Sequence, residues 1–303
     1  MAVGDRMNTE LLMQLIVNGL IVGTLYGVVA MCFVLIYKST RVVNFAQGEF
    51  LLIGAWTCWW LLVKFELPFW FGFPLTLAFM VVFGIALQVI VLRPLIGEPI
   101  ISVIMVTIGL AIFFQALMGL LFGQETKSYP QVFETESIEI LGMQVQSAYI
   151  LSMVISVLIM IAFYYFFKYS RIGLAMRATA FDQQVAQSLG ISVKMVFAAS
   201  WAISAVVSAL AGIVIGLVNG VSSALSFFGI KVFPVVILGG LDSIVGSVVG
   251  GLIIGVLENV AEFADSQWLH IGNLYVIAPF YALIIILMIK PYGLFGTKDI
   301  ERI

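Results

Sequence analysis

YSRIGLAMRATAFDQQVAQSLGISVKMV, residues 169–196, is the one long basic and polar stretch in a chain whose flanks are apolar enough to dissolve in lipid. The runs on either side, 148–167 and 196–218, each reach the roughly 20 residues that a helix needs to cross a hydrocarbon core of about 30 Å. Further out lie 11–37, 69–92, 100–122, 244–260 and 271–289, together with 50–63 and 228–241, which are too short to span alone. Each of these two reads as a discontinuous helix or as a run extended through polar neighbours. Broken helices are tolerated at membrane depth only where the backbone faces protein or water. The pattern predicts an all-α polytopic membrane protein: a bundle of 8–9 transmembrane helices forming a single domain over 1–303, with a cytoplasmic loop at 168–195.

Composition supports that class. Apolar residues make up 62% of the chain and charged residues 10%, against about 25% charged in soluble proteins, and mean hydropathy is +1.16. No room is left for a folded soluble domain. A net charge of -2 without a Lys/Arg-rich run excludes a nucleic-acid surface. Cys32 and Cys58 both sit inside apolar runs, where buried packing is the expected role and neither a disulfide nor a metal site is. The polar start MAVGDRMNTE leads into a run longer than the ~7–15 residues of a signal-peptide core, so 11–37 is expected to be a retained span.

Orientation follows from Lys and Arg in the short loops. Lys168, Arg171, Arg177 and Lys194 against Asp182 place 168–195 in the cytoplasm. Glu125, Glu134, Glu136 and Glu139 against Lys127 place the preceding loop outside. Alternation then puts Lys38, Arg41, Arg93 and the tail with Lys290, Lys298 and Arg302 inside, and Glu262, Asp265 and His270 outside, provided that 228–241 crosses. The amino terminus falls outside, with Arg6 as an objection. His270 reads as a structural loop residue.

Glycines recur at four-residue spacing at Gly19, Gly23 and Gly27, at Gly212, Gly216 and Gly220, and at Gly246/Gly250 and Gly251/Gly255. Such stripes let helix backbones approach closely, which is how helices associate in lipid. The echo between the first and sixth runs hints at an internal duplication.

Three polar constellations remain. Asn44, Gln47, Gly48 and Glu49 open an apolar run. Asn44 either caps that helix with Gln47 returning the bond, or the cluster starts a half-helix whose Glu49 lines a solute path, an ionisable group at membrane depth being costly. LGGLDSIVG (238–246) reads as a tight cytoplasmic turn with Asp242 at its tip rather than a binding site. Glu258 and Asn259 read as an outward-facing surface pair, with contact to a zwitterion in the pathway as the alternative.

No phosphate-binding loop, zinc-protease motif or nucleophile elbow occurs, so the chain is not an ATPase or other enzyme by itself and has no catalytic residues. A solvated connecting loop would explain 169–196, but a docking loop gripped by a separate, energy-supplying subunit explains it better. VVNFAQGEFLLIGA (42–55), IGLAMRATAFDQQVAQSLGI (172–191), SAVVSALAGIV (204–214), VVILGGLDSIVGSVVGGLIIGVLEN (235–259) and KPYGLFG (290–296) resemble the LivH-type permeases of bacterial branched-chain amino acid ABC importers over nearly the whole chain.

The resemblance implies the ABC importer permease fold and a place in the bacterial inner membrane. It implies that Gly173, Arg177, Ala178, Asp182, Ala186, Leu189, Gly190 and Ile191 form a coupling helix seated in a cleft of the ATPase. Arg177 is expected to meet an acid there, and Gly173 and Gly190 to turn the loop at either end. Gln47 stands where the family's N-F-A-H-G has histidine. The implied partners are a second, related permease in a heterodimer, two cytoplasmic ATPase subunits that bind ATP and Mg, and a periplasmic or lipid-anchored solute-binding protein. This chain itself needs no cofactor. The implied activity is import of branched-chain or related hydrophobic amino acids by alternating access. The same fold carrying urea, amides or aromatic acids is one alternative. A stand-alone ion-coupled secondary transporter is another, disfavoured by the scarcity of charged residues near span centres.

Overall fold

The computed structural model describes residues 2–96, 98–130, 137–140 and 143–297, with side chains described over 14–96, 98–130 and 146–297. Eleven α-helices and one short hairpin make up this part of the chain. In chain order they are α1 (Ala2–Thr40), α2 (Gln47–Val63), α3 (Phe69–Leu87), α4 (Ile100–Phe122), β1 (Ser137–Ile140), β2 (Met143–Gln146), α5 (Ser147–Tyr169), α6 (Arg171–Phe181), α7 (Gln183–Ser188), α8 (Val193–Asn219), α9 (Phe227–Gly239), α10 (Ile244–Ala264) and α11 (Leu274–Ile289). α3 runs on through a π turn and a 3₁₀ turn to Leu95, and α10 through a π turn to Leu269.

Among the described residues, six helices are long and apolar enough to cross a membrane: α1, α3 with its extension, α4, α5, α8 and α10 with its extension. The expected count of eight to nine spans is therefore not met by length and composition alone. The runs 50–63, 228–241 and 271–289 form helices of 17, 13 and 16 residues. Apolar side chains face outward on α4, where Ile101, Ile112, Phe113, Leu120 and Leu121 are exposed. That is the surface a lipid-facing helix presents.

The basic loops gather at one end. Lys38 donates to the Asp242 carbonyl at 2.9 Å, Arg41 to that of Ala180, and the Leu294 and Phe295 amides to the carbonyls of Leu238 and Gly239. Asp242 also accepts from Thr297. Residues 240–243 are thus the tight turn expected, with Ser243 capping α10 through the Gly246 amide. By the positive-inside rule this is the end expected to face the cytoplasm. At the opposite end Trp59 donates to the Ser128 carbonyl, Lys127 and Val221 exchange backbone bonds, and Lys127 pairs with Glu125 at 2.6 Å. Val221 and Gly239 mark opposite ends, so the segment containing α9 does join them. Glu134, Glu136, Lys298 and Arg302 lie outside the described residues, and of Arg6 and Glu139 only the backbone is described.

The glycine stripes of α1 and α10 are close-packing surfaces. A Cβ on Gly19 would sit 2.7 Å from Val256 Cα, and one on Gly23 2.8 Å from the Gly251 carbonyl, so α1 and α10 meet backbone to backbone. On α8 only Gly212 of the expected stripe lies against a helix backbone, that of Leu51 on α2; Gly216 meets the Tyr129 ring, and Gly220 ends the helix at φ +78°. The neighbour relations support an inverted duplication. α8 packs on α2 and α3, α1 on α9 and α10; α2 packs on α3 and α4, α9 on α10 and α11. α1 and α8 run in opposite directions, and so do α2 and α9.

Asp265 ties down the turn after α10. Its Oδ1 accepts from the Ile271 and Gly272 amides at 2.8 and 3.0 Å and its Oδ2 from Leu274 at 3.2 Å, ordering the start of α11 where Asn273 itself gives no side-chain cap. Asp265→Ala strands three amides. It is expected to lower the melting temperature of the detergent-solubilised protein by several degrees, with Asp265→Asn in between; an unchanged melt overturns this assignment.

Candidate functional site

Two half-helices begin inside the bundle. Gln47, the first residue of α2, is bonded to Ser204 and Ser208 near the middle of α8, so α2 starts at depth and rises to the outer end. The connecting segment reaches that depth from the end with the basic loops, with the Val43 carbonyl near the Thr107 hydroxyl of α4. α9 begins at the same level and descends. A Cβ on Gly229 would lie 2.6 Å from Gly48 N, and one on Gly48 would strike the Ser226 carbonyl. The amino termini of both half-helices, each a positive dipole end, therefore abut.

The polar residues at this junction are not a helix cap, contrary to the first expectation. α2 starts after Ala46 with no side-chain cap bond. Asn44 folds back locally instead: its Oδ1 accepts from the Ala46 amide at 3.0 Å and its Nδ2 donates to Gln47 Oε1 at 3.1 Å. Gln47 Nε2 donates to Ser208, and the Ser204 hydroxyl donates to Gln47 Oε1 at 3.2 Å, so Gln47 is fully buried and paired at both ends. Glu49, in the first turn of α2, has one carboxylate oxygen buried with no partner among the described residues. Ser226, which accepts from Gln115 Nε2 at 3.0 Å, stands beside it.

Glu258 lies apart from this cluster, and the reading of Glu258 and Asn259 as an outward surface pair is overturned. Glu258 is buried on α10, and its Oε2 accepts from the Tyr26 hydroxyl at 2.7 Å and lies 3.6 Å from Lys231 Nζ. Asn259 turns back to the Gly255 carbonyl at 3.0 Å. Lys231 and Tyr26 are the residues that sequence reasoning missed. Lys231 sits in an apolar run too short to span, and Tyr26 is an aromatic in a long apolar run, so neither carries a local pattern that marks a site. The scarcity of charge near span centres is corrected accordingly: one acid and one base meet beside the middle of α1.

At the end where the basic loops gather, the segment 168–195 is largely helical. Ser170 caps α6 through the Gly173 amide at 2.8 Å, and Asp182 caps α7 through the amides of Gln184 and Val185. α6 lays Gly173, Met176 and Thr179 against the bundle. Gly173 is helical and abuts the Phe167 carbonyl, so it serves close packing and not the turn expected of it. Gly190 does turn, at φ +84°. Arg177 is half-buried; within the chain its guanidinium donates to the Phe167 carbonyl and lies over the Phe167 ring at 5.6 Å. The same segment points Leu174, Phe181, Val185 and Leu189 outward, with Phe181 93% and Leu189 75% exposed. Of the other expected coupling residues, Ala186 is buried and Ala178 and Ile191 are half-buried. No group of three or more His, Cys, Asp or Glu is placed to hold a metal ion among the described residues.

Residues 15–289 match the sequence profile of the family described as branched-chain amino acid transport system, permease component. The chain is 30% identical to the high-affinity branched-chain amino acid transport system permease protein BraD of Pseudomonas aeruginosa, over 96% of this chain and 98% of that one. It is 28% identical to the corresponding permease protein LivH of Salmonella typhimurium, over 96% and 97%. A probable branched-chain amino acid transport permease protein of Methanocaldococcus jannaschii is 26% identical over 96% and 95%. Among solved structures, PsaBC from Streptococcus pneumoniae in complex with Fab overlaps 91% of each chain at 18% identity and a TM-score of 0.49.

Proposed function

Because the chain belongs to the family of permease components of branched-chain amino acid transport systems, we propose that it is the membrane subunit of an ATP-driven importer of branched-chain or related hydrophobic amino acids. It works with a second permease, two cytoplasmic ATPase subunits that bind ATP and Mg, and an external solute-binding protein, in the bacterial inner membrane. The observation that carries this reading is the cytoplasmic pair α6 and α7. One face is clamped to the bundle by Gly173, Met176 and Thr179 while the other offers exposed Phe181 and Leu189 to a partner. An apolar patch on a rigid, capped helix beyond the membrane is a protein-docking surface. Movement of a subunit gripping it would tilt the bundle as a body and open the junction of α2 and α9 to alternate sides.

The buried Lys231–Glu258 pair favours a second reading, since charged residues at span centres are the coupling sites of ion-driven transporters. Affinity purification of the tagged chain from its host's membranes in mild detergent separates the two. Recovery of two ATPase subunits and a second permease is expected. Recovery of the chain alone, transport-competent in liposomes without ATP, overturns the proposal in favour of ion coupling.

A further inference from the structure

The Lys231–Glu258 pair has the features of a site more than those of a structural tie. Lys231 stands in the second turn of α9, next to the positive end of that helix's dipole, where a cation is disfavoured. Desolvating the pair costs more than packing apolar side chains of similar size would. The Nζ to Oε2 distance of 3.6 Å exceeds the ~2.7–2.9 Å of a strong charge-assisted bond. Tyr26 fixes the carboxylate, donating to Glu258 Oε2 at 2.7 Å, and Lys231 Nζ lies 3.5 Å from the same hydroxyl and 5.5 Å from the Tyr275 ring.

The lysine is not sealed in. A third of its side chain stays accessible, and it opens onto a cavity of about 460 Å³ whose walls include Phe228, Ile230, Val276 and Phe280. An opposed cation and anion, loosely paired at one edge of an apolar cavity, are the complement of a zwitterion that carries an apolar side chain.

We propose that Lys231 and Glu258 bind the transported amino acid within the membrane: the α-carboxylate on Lys231 Nζ, the α-ammonium on the Glu258 carboxylate, and the aliphatic side chain against Phe228, Ile230 and Phe280. The inference rests on the transport reading above. Tyr26 is a positioning residue that holds Glu258. Inserting a zwitterion replaces one ion pair by two and leaves the site's net charge unchanged. An amine or a carboxylic acid alone leaves one buried charge unpaired, which is strongly unfavourable.

The test uses the complex purified with its partner subunits, reconstituted in proteoliposomes with ATP, and radiolabelled L-leucine delivered by the solute-binding protein. The Lys231→Met/Glu258→Gln double variant leaves no lone charge, so a merely structural pair tolerates it. The expected result is leucine uptake at least 30-fold below wild type, with subunit recovery within threefold. Tyr26→Phe, which removes one hydroxyl, is expected to raise the KM for uptake about fivefold. Uptake by the double variant within threefold of wild type overturns the inference. If the double variant does not assemble, an unchanged KM in Tyr26→Phe overturns it. Absence of ATP-driven uptake of leucine, isoleucine and valine by the wild-type complex overturns the transport reading itself, and the inference with it.

Discussion

Gly229→Leu is expected to abolish recovery of the folded protein, whereas Gly109→Leu is expected to leave it unchanged. At Gly229 a Cβ would meet Gly48 N at 2.6 Å and Gly48 Cα at 2.7 Å. Both are backbone atoms, so no neighbouring side chain can swing away. Overpacking a tight core costs about 1–3 kcal/mol and more where relaxation is blocked. Here it is blocked doubly, because the two facing backbones are the starts of α2 and α9, each already held by buried partners on α8 and α10. Gly109 is the control: on the exposed face of α4 nothing lies within 4 Å of its Cβ position, and replacing glycine in a helix interior gains about 0.5–1 kcal/mol of propensity. Fluorescence-detected size exclusion of the two variants reads the contrast. A monodisperse peak for Gly229→Leu comparable with that of Gly109→Leu overturns the assignment of the junction as a direct backbone contact.

That junction also shows how far the sequence can be read. The short runs at 50–63 and 228–241 point to discontinuous helices by length alone, and α2 and α9 are such elements. The glycine spacings were legible as packing faces because the i, i+4 period is local. Which face meets which is not: Gly23 on α1 finds Gly251 on α10, and its counterpart Gly212 on α8 finds Leu51.

The same limit governs the charged residues. Asn44 to Glu49 are neighbours in sequence and could be grouped, although Asn44 serves a local fold and not the cap its identity suggested. Glu258 bonds to Tyr26 across 232 residues, and no local pattern predicts that pairing. Lys231 carried a signal that was available, a lysine inside an apolar run. Its meaning depends on α9 starting at membrane depth, which places the residue by the cavity and not at a boundary. In a membrane protein, then, local periodicity reports class and packing surfaces, while the depth at which a helix starts decides what its polar residues do.

The two faces of α6 are expected to fail in different ways. Phe181→Asp removes the most exposed aromatic of the cytoplasmic helices and puts a charge at the centre of the surface assigned to the ATPase. Loss of such an anchor typically costs about 2 kcal/mol or more, and every ~1.4 kcal/mol is tenfold in affinity. Recovery of the ATPase subunits with the tagged chain should fall at least tenfold while the chain itself inserts and purifies normally. Arg177→Ala acts on the other side. It removes the donor to the Phe167 carbonyl and the guanidinium stacked on the Phe167 ring, loosening α6 from α5 without altering the exposed face. The ATPase subunits should still bind and hydrolyse ATP, but their movement reaches the bundle through a slack joint, so substrate uptake per ATP hydrolysed should fall about tenfold. The measurement is paired: subunit recovery by mass spectrometry, and the ratio of uptake to hydrolysis in proteoliposomes. If Arg177→Ala loses the ATPase subunits while Phe181→Asp keeps them, the assignment of the two faces is reversed, and Arg177 is the contact that the sequence first suggested.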